Sequence, residues 1–133
     1  MDNTTRFNQR FSHFKKAYKN LNEVAQMQNR EFSDLEKEGI VQRFEVLIEL
    51  SWKVTKDFLE QEGYMLKSPK ETMRQAFSYG LIKDCEKWLE ALDRRNVTSH
   101  TYDSDGLNDN VEYILKEFFF LAKDLHDNLE KKL

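Results

Sequence analysis

Apolar side chains recur along this chain at helical spacing almost from end to end. Phe7, Phe11, Phe14, Tyr18, Leu21 and Val24 step by four, three, four, three and three. That predicts one amphipathic helix from about Thr5 to Gln28, its stripe turned to a core. Arg10, Lys15, Lys16 and Lys19 flank the stripe as a solvated basic face. Residues Asn29 to Glu38 are polar and acidic and are expected to hold the first turn. A second helix, from about Leu35 or Gly39 to Gln61, closes at Glu62-Gly63, with Gly63 as its cap. Val41, Phe44, Leu47, Ile48, Trp52 and Phe58 are among the apolar residues that leave it almost no wholly polar face. Such a helix lies at the centre of a fold or under another chain.

Ser68-Pro69-Lys70-Glu71 starts a short third helix. Ser68 caps it, Pro69 takes the first position and Glu71 completes a capping box. It ends near Tyr79-Gly80 and is expected to bury Met73, Ala76 and Phe77. Asp84 caps a fourth helix, whose apolar side is Trp88, Leu89, Ala91, Leu92 and Val97. Asp103 to Gly106 make the next turn, and one of them caps a last helix from about Leu107 to Lys131. Val111, Ile114, Leu115, Phe118, Leu121, Ala122, Leu125 and Leu129 form its stripe, with Phe119 and Phe120 beside and off it. The expected fold is all-α, an up-and-down bundle of four long helices plus one short helix, in a single domain over residues 1–133.

Composition sharpens this picture. Four Gly and one Pro in 133 residues leave little turn chemistry, as few, long helices require. A single cysteine, Cys85, forms no internal disulfide and suits a reducing cytoplasm, the expected location. The amino-terminal residues hold no apolar signal core, and the apolar run Phe118 to Ala122 is far too short to cross a membrane. Net charge is −3 but uneven. Residues 1–30 carry six basic and two acidic side chains, residues 31–64 four and nine, residues 65–95 seven and five, residues 96–133 four and eight. Contact with nucleic acid therefore requires a local patch or a basic partner. No metal-ligand cluster is visible, and none is expected.

One stretch carries chemistry: Arg95-Asn96-Val97-Thr98-Ser99-His100-Thr101-Tyr102. Imidazole exchanges protons near neutral pH, guanidinium forks onto phosphate oxygens, and a phenol donates or is modified. Positions five apart on a helix lie about 140° apart, so Arg95 and His100 share no face while the helix is regular. Asn96 and His100, four apart, do. Val97, Thr98 and Thr101 are β-branched, so the helix is expected to end close to His100. Past that end, His100 and Tyr102 point to one side and Arg95 leans toward them. Glu45 and Glu49 share a face of the second helix and are expected to form ion pairs, one with Arg95. His13 is assigned no role, and His126 is read as solvated.

The R-x4-H-x-Y motif, with Gly39 to Gly63 and Ser68 to Ile82, resembles the HEPN superfamily, in its nucleotidyltransferase substrate-binding branch. The resemblance covers about residues 5 to 130. It implies a HEPN-like bundle and a metal-independent endoribonuclease site in which Arg95 and His100 are catalytic, with Asn96 and Ser99 as supporting polar neighbours. RNA cleavage gains from one group that takes the 2′ proton and another that protonates the leaving oxygen. One chain offers one well-placed His, so a homodimer that joins two copies of His100 and Arg95 is expected. The resemblance also implies a cognate minimal nucleotidyltransferase partner, which would use ATP and Mg to place AMP on Tyr102 and silence a toxin. This chain itself needs no cofactor. The alternative is a non-catalytic substrate- or nucleotide-binding subunit of a two-chain nucleotidyltransferase. A plain dimeric scaffold leaves the Arg-Asn-His-Tyr cluster idle.

Overall fold

The computed structural model describes residues 3–27, 30–98 and 103–133. The elements are α1 (Asn3–Ala25), α2 (Asp34–Gln61), α3 (Pro69–Tyr79), α4 (Cys85–Thr98), α5 (Ser104–Tyr113), a π-helical turn (Ile114–Phe118) and α6 (Phe119–Lys131). The last three follow one another without a break, so the architecture is four long helical rods and one short helix. The all-α bundle expected from the sequence is the fold observed.

The apolar surface of α2 explains its place. It packs against every other element, and Phe44, Leu47, Ile48, Val54 and Leu59 are fully buried. Two polar residues go down with them. Ser51 Oγ donates to the Leu47 carbonyl at 2.7 Å and Thr55 Oγ1 to the Ser51 carbonyl at 2.8 Å. Each hydroxyl is satisfied within its own helix, which removes most of the cost of burying it.

The helix ends are built by side chains. Ser33 Oγ accepts from the Glu36 amide and Glu36 accepts from the Ser33 amide, a reciprocal capping box that starts α2 at Asp34. This start lies within a residue of Leu35, the earlier of the two expected starts, and the Ser-x-x-Glu pair draws residues 34–38 into the helix. Gly63, at φ 99°, closes α2 while the Tyr64 amide reaches the Leu59 carbonyl at 3.1 Å. Only glycine takes that backbone without strain. At α3, Ser68 caps the Glu71 amide. Only this half of the expected capping box is formed. Asp84 and Asp103 cap α4 and the last rod.

Three expectations are corrected. Phe77 is 50% exposed rather than buried, because α3 is short and sits at the margin, sunk on Thr72, Met73 and Ala76. Phe119 is 3% exposed where a regular helix would set it beside the buried stripe. The π turn adds a residue to that coil and rotates the chain, so Phe118 and Phe119 both face inward and Phe120 is left outside. His126 is not solvated. Its ring stacks on Tyr18 at 4.4 Å, with Asp127 at 3.1 Å and Glu130 at 3.5 Å.

One buried carboxylate gives a stability test. Asp57, 5% exposed, sits 3.1 Å from Arg10 Nε. Burial pushes its carboxyl above the ordinary range, against the opposing pull of Arg10. The folded state therefore holds this proton more tightly than the unfolded one. The stability it contributes is complete below the unfolded value, about 3.9, and is lost as pH rises through the raised folded value. In urea titrations the Asp57→Asn protein should gain on the wild type between pH 4 and pH 7. A difference independent of pH would contradict this.

Candidate functional site

Two adjacent arginines near the end of α4 serve two different interfaces, because successive helical residues point about 100° apart. Arg95 turns to α2. Its Nη2 lies 2.8 Å from Glu49 Oε2, as the sequence led us to expect. The two are in close ion contact, although Oε2 is not aligned as a hydrogen-bond acceptor. Glu49 also holds Lys53 at 3.4 Å, one turn further on. Arg94 turns to the last rod. Its Cζ stands 4.1 Å from the ring centroid of Tyr113, and its Nε is 3.5 Å from Glu90.

Tyr113 is 6% exposed, and its hydroxyl has no hydrogen-bond partner among the described residues. Burial raises the phenol well above its usual value, with Glu90 adding to the rise and Arg94 opposing it. It stays protonated. Arg94 thus clamps α4 onto the residue just before the π turn, while Arg95 clamps α4 onto α2. Together they fix the helix end from which the motif continues.

Beside Arg95 a hollow of about 310 Å³ opens between α2, α3 and α4. Leu92, Arg95 and Asn96 reach it from α4, and Trp52 from α2. Asn96 is exposed. Ser99, His100 and Tyr102 lie outside the described residues. Among the described residues no group of three His, Cys, Asp or Glu side chains could hold a metal ion. Among them, too, no helix is long and apolar enough to cross a membrane.

The expectation for Arg95 rested on residue types, and its partner was legible from the isolated carboxylates of α2. Arg94, Tyr113 and Trp52 were missed. A signal existed for Trp52: it stands three residues after Glu49, on the same side of α2, and Leu92, Arg95 and Asn96 repeat that spacing on α4. Nothing in the spacing announces that Tyr113 precedes a π turn.

The fold and this arrangement define a helical, HEPN-like bundle. The chain belongs to the family described as nucleotidyltransferase substrate binding protein like, whose model matches residues 9–131. It is 32% identical over 118 residues to a protein of Haemophilus influenzae named probable ribonuclease HepT, covering 77% of this chain and 81% of that one. A solved Haemophilus influenzae structure, described as revealing the fold of a substrate binding domain of a nucleotidyltransferase, matches with a TM-score of 0.77 and 30% identity. That match covers 90% of this chain and 98% of the other. A crystal structure from Thermus thermophilus matches with a TM-score of 0.78 and 30% identity, over 87% and 98% of the two chains.

The Glu49–Arg95 pair is partly exposed at both ends, so its contribution to stability is modest. A double-mutant cycle of Glu49→Gln and Arg95→Gln should give a coupling of about 0.2–1 kcal/mol. That coupling should shrink in 1 M salt. A coupling of zero at low salt would show that the contact positions nothing.

Proposed function

We propose that this protein is a metal-independent endoribonuclease whose site is shared across a homodimer. The observation that carries the reading is Arg95, set near the end of α4 and held from α2 by Glu49, at the head of an R-x4-H motif. The likeness to a protein named probable ribonuclease supports it.

In the cleavage step the ribose 2′-oxygen attacks the adjacent phosphorus. The new P–O2′ bond forms as the P–O5′ bond breaks, leaving a 2′,3′-cyclic phosphate and a 5′-hydroxyl. One His100 takes the 2′ proton, and the His100 of the second copy gives a proton to O5′. Arg95 meets the charge that builds on the phosphate oxygens. Asn96 and Ser99 support the pair. Two copies are needed because one chain brings one suitable imidazole.

A minimal nucleotidyltransferase is the proposed partner, and the family description supports it. In this reading the protein is the toxin of a toxin–antitoxin pair. The Tyr102 phenol oxygen attacks the α-phosphorus of ATP, pyrophosphate leaves, and the phenolic proton passes to a base. Mg bound by the partner would assist. The AMP so placed, two residues from His100, fills the cleft and repels RNA phosphate. A second reading is a nucleotide-binding subunit without activity of its own. It takes support from the same family description and from the likeness to the Haemophilus influenzae substrate binding domain.

Purified protein should cleave RNA with EDTA present, and His100→Ala should lose about a hundredfold or more of that rate, the scale of a general acid–base contribution. Undiminished cleavage by the Ala protein would remove His100 from the chemistry. Absence of cleavage by the wild type would favour the second reading. Incubation with the partner and labelled ATP should label the wild type and leave Tyr102→Phe unlabelled. Equal labelling of both would exclude Tyr102 as the acceptor.

A further inference from the structure

The hollow beside Arg95 has a character that the cleavage chemistry alone does not use. The indole of Trp52, the ring of Pro69 and the side chain of Leu92 make its apolar walls, each from a different helix. Ser68, Lys70, Asp93, Arg95 and Asn96 are its polar members. Its volume, about 310 Å³, falls at the lower end of the ~300–1,000 Å³ typical of small-molecule sites. A flat aromatic wall beside cations is what a nucleobase and its phosphate ask for. Every base has a π-face to stack, and the backbone brings the charge.

We propose that this hollow is a nucleotide subsite. It takes the base of an RNA residue next to the cleaved bond, stacked on Trp52, with the phosphate toward Arg95. The inference rests on the endoribonuclease reading, since Arg95 links the hollow to the cleavage centre.

Three observations carry it. The first is the contrast between the two tryptophans. Trp88 is 1% exposed in the core, whereas Trp52 is only partly buried and lines the hollow. The second is rigidity. The walls stand on α2, α3 and α4, and Lys70 Nζ meets Asp93 Oδ1 at 2.8 Å from α3 to α4 across the rim. Walls on helices lose little freedom when a base enters. The third is charge. Lys70 and Arg95 line the hollow against Asp93, and behind Arg95 stand Glu49 and its second partner Lys53; three cations face two carboxylates, on a chain of net charge −3. An acidic protein that binds RNA needs such a local exception.

The test uses the full-length protein and a hexaribonucleotide with 2′-O-methyl groups, which carries bases and phosphates but no free 2′-hydroxyl. Tryptophan emission reports on Trp52, because Trp88 is shielded in the core. The hexamer should quench that emission, and AMP should do so only at far higher concentration. By fluorescence anisotropy of a labelled hexamer, Trp52→Leu should bind about 5- to 150-fold more weakly, the range for losing one base–aromatic stack. Trp52→Phe should keep most of the affinity. With cleavable RNA, Trp52→Leu should raise KM more than it lowers kcat, which a loss of folding would not do. Should the Leu protein fail to fold, quenching of the unaltered protein still decides the matter. Absent quenching, unchanged affinity in a folded Trp52→Leu protein, or AMP binding as tightly as the hexamer, would each overturn the assignment. Quenching with no RNA cleavage by the wild type would leave the subsite standing and remove the endoribonuclease reading.

Discussion

A helix apolar on nearly every side has to be surrounded, and that requirement organises this bundle. Twenty-eight residues of α2 run through the core, and the remaining elements are arranged around it. Ser51 and Thr55 survive in that setting by bonding to carbonyls of their own helix. A polar residue that sought a partner on another helix would have tied that helix to one register. With its hydroxyls satisfied internally, α2 presents neighbours with shape alone, and their packing decides where they sit. The exceptions are the charged positions at its margins. Glu49 to Arg95 pins α4, and Asp57 to Arg10 and Arg43 to the Asn20 carbonyl pin α1.

The last rod solves a different packing problem. Phe118, Phe119 and Phe120 are consecutive, and a regular helix turns about 100° per residue. Local unwinding of the helix can turn two of three successive rings toward the core. The π turn over Ile114–Phe118 does this. Phe118 then meets Phe44 edge-on at 4.7 Å and Trp88 at 5.9 Å, while Phe119 stacks on Tyr18 at 5.8 Å. The two rings thus close the core against different helices. Tyr113 lies directly before this turn, with Arg94 over its ring. The unwound coil therefore adjoins the clamp that holds the end of α4.

Much of this was legible in the sequence, for physical reasons. The number of helices, their order and their buried stripes follow from spacing, because an amphipathic face has only one way to avoid water. The ends of α2 and α3 at Gly63 and Gly80 were visible because positive φ favours glycine. The start of α2 was left open between Leu35 and Gly39, because Ser33 and Glu36 read as loop residues unless their reciprocal bonds are recognised. The π turn was invisible because a run of Phe satisfies a regular stripe nearly as well. Phe77 was misjudged because spacing says which face is apolar, not whether a neighbour exists to cover it. At the candidate site, Arg95 and its carboxylate partner could be paired on chemistry alone. Trp52 was absorbed into the core stripe, since an indole at helical spacing looks the same whether it faces Phe44 or a hollow.

The Glu49–Arg95 contact sets opposing demands on one guanidinium. A carboxylate 2.8 Å away positions Arg95 and also offsets the charge that phosphate would seek. The balance is decided by geometry and solvent. The closest contact to Glu49 is made by one terminal nitrogen of a planar guanidinium. A carboxylate at that nitrogen fixes the direction in which the group points. Because both partners are partly exposed, their mutual attraction is small, at most about 1 kcal/mol. A charge-assisted bond to phosphate within a closed cleft is stronger than that. In the endoribonuclease proposal the carboxylate therefore acts as a support for the arginine, because phosphate outweighs a contact this weak. In a chain of net charge −3, that support fixes one guanidinium beside the hollow lined by Trp52.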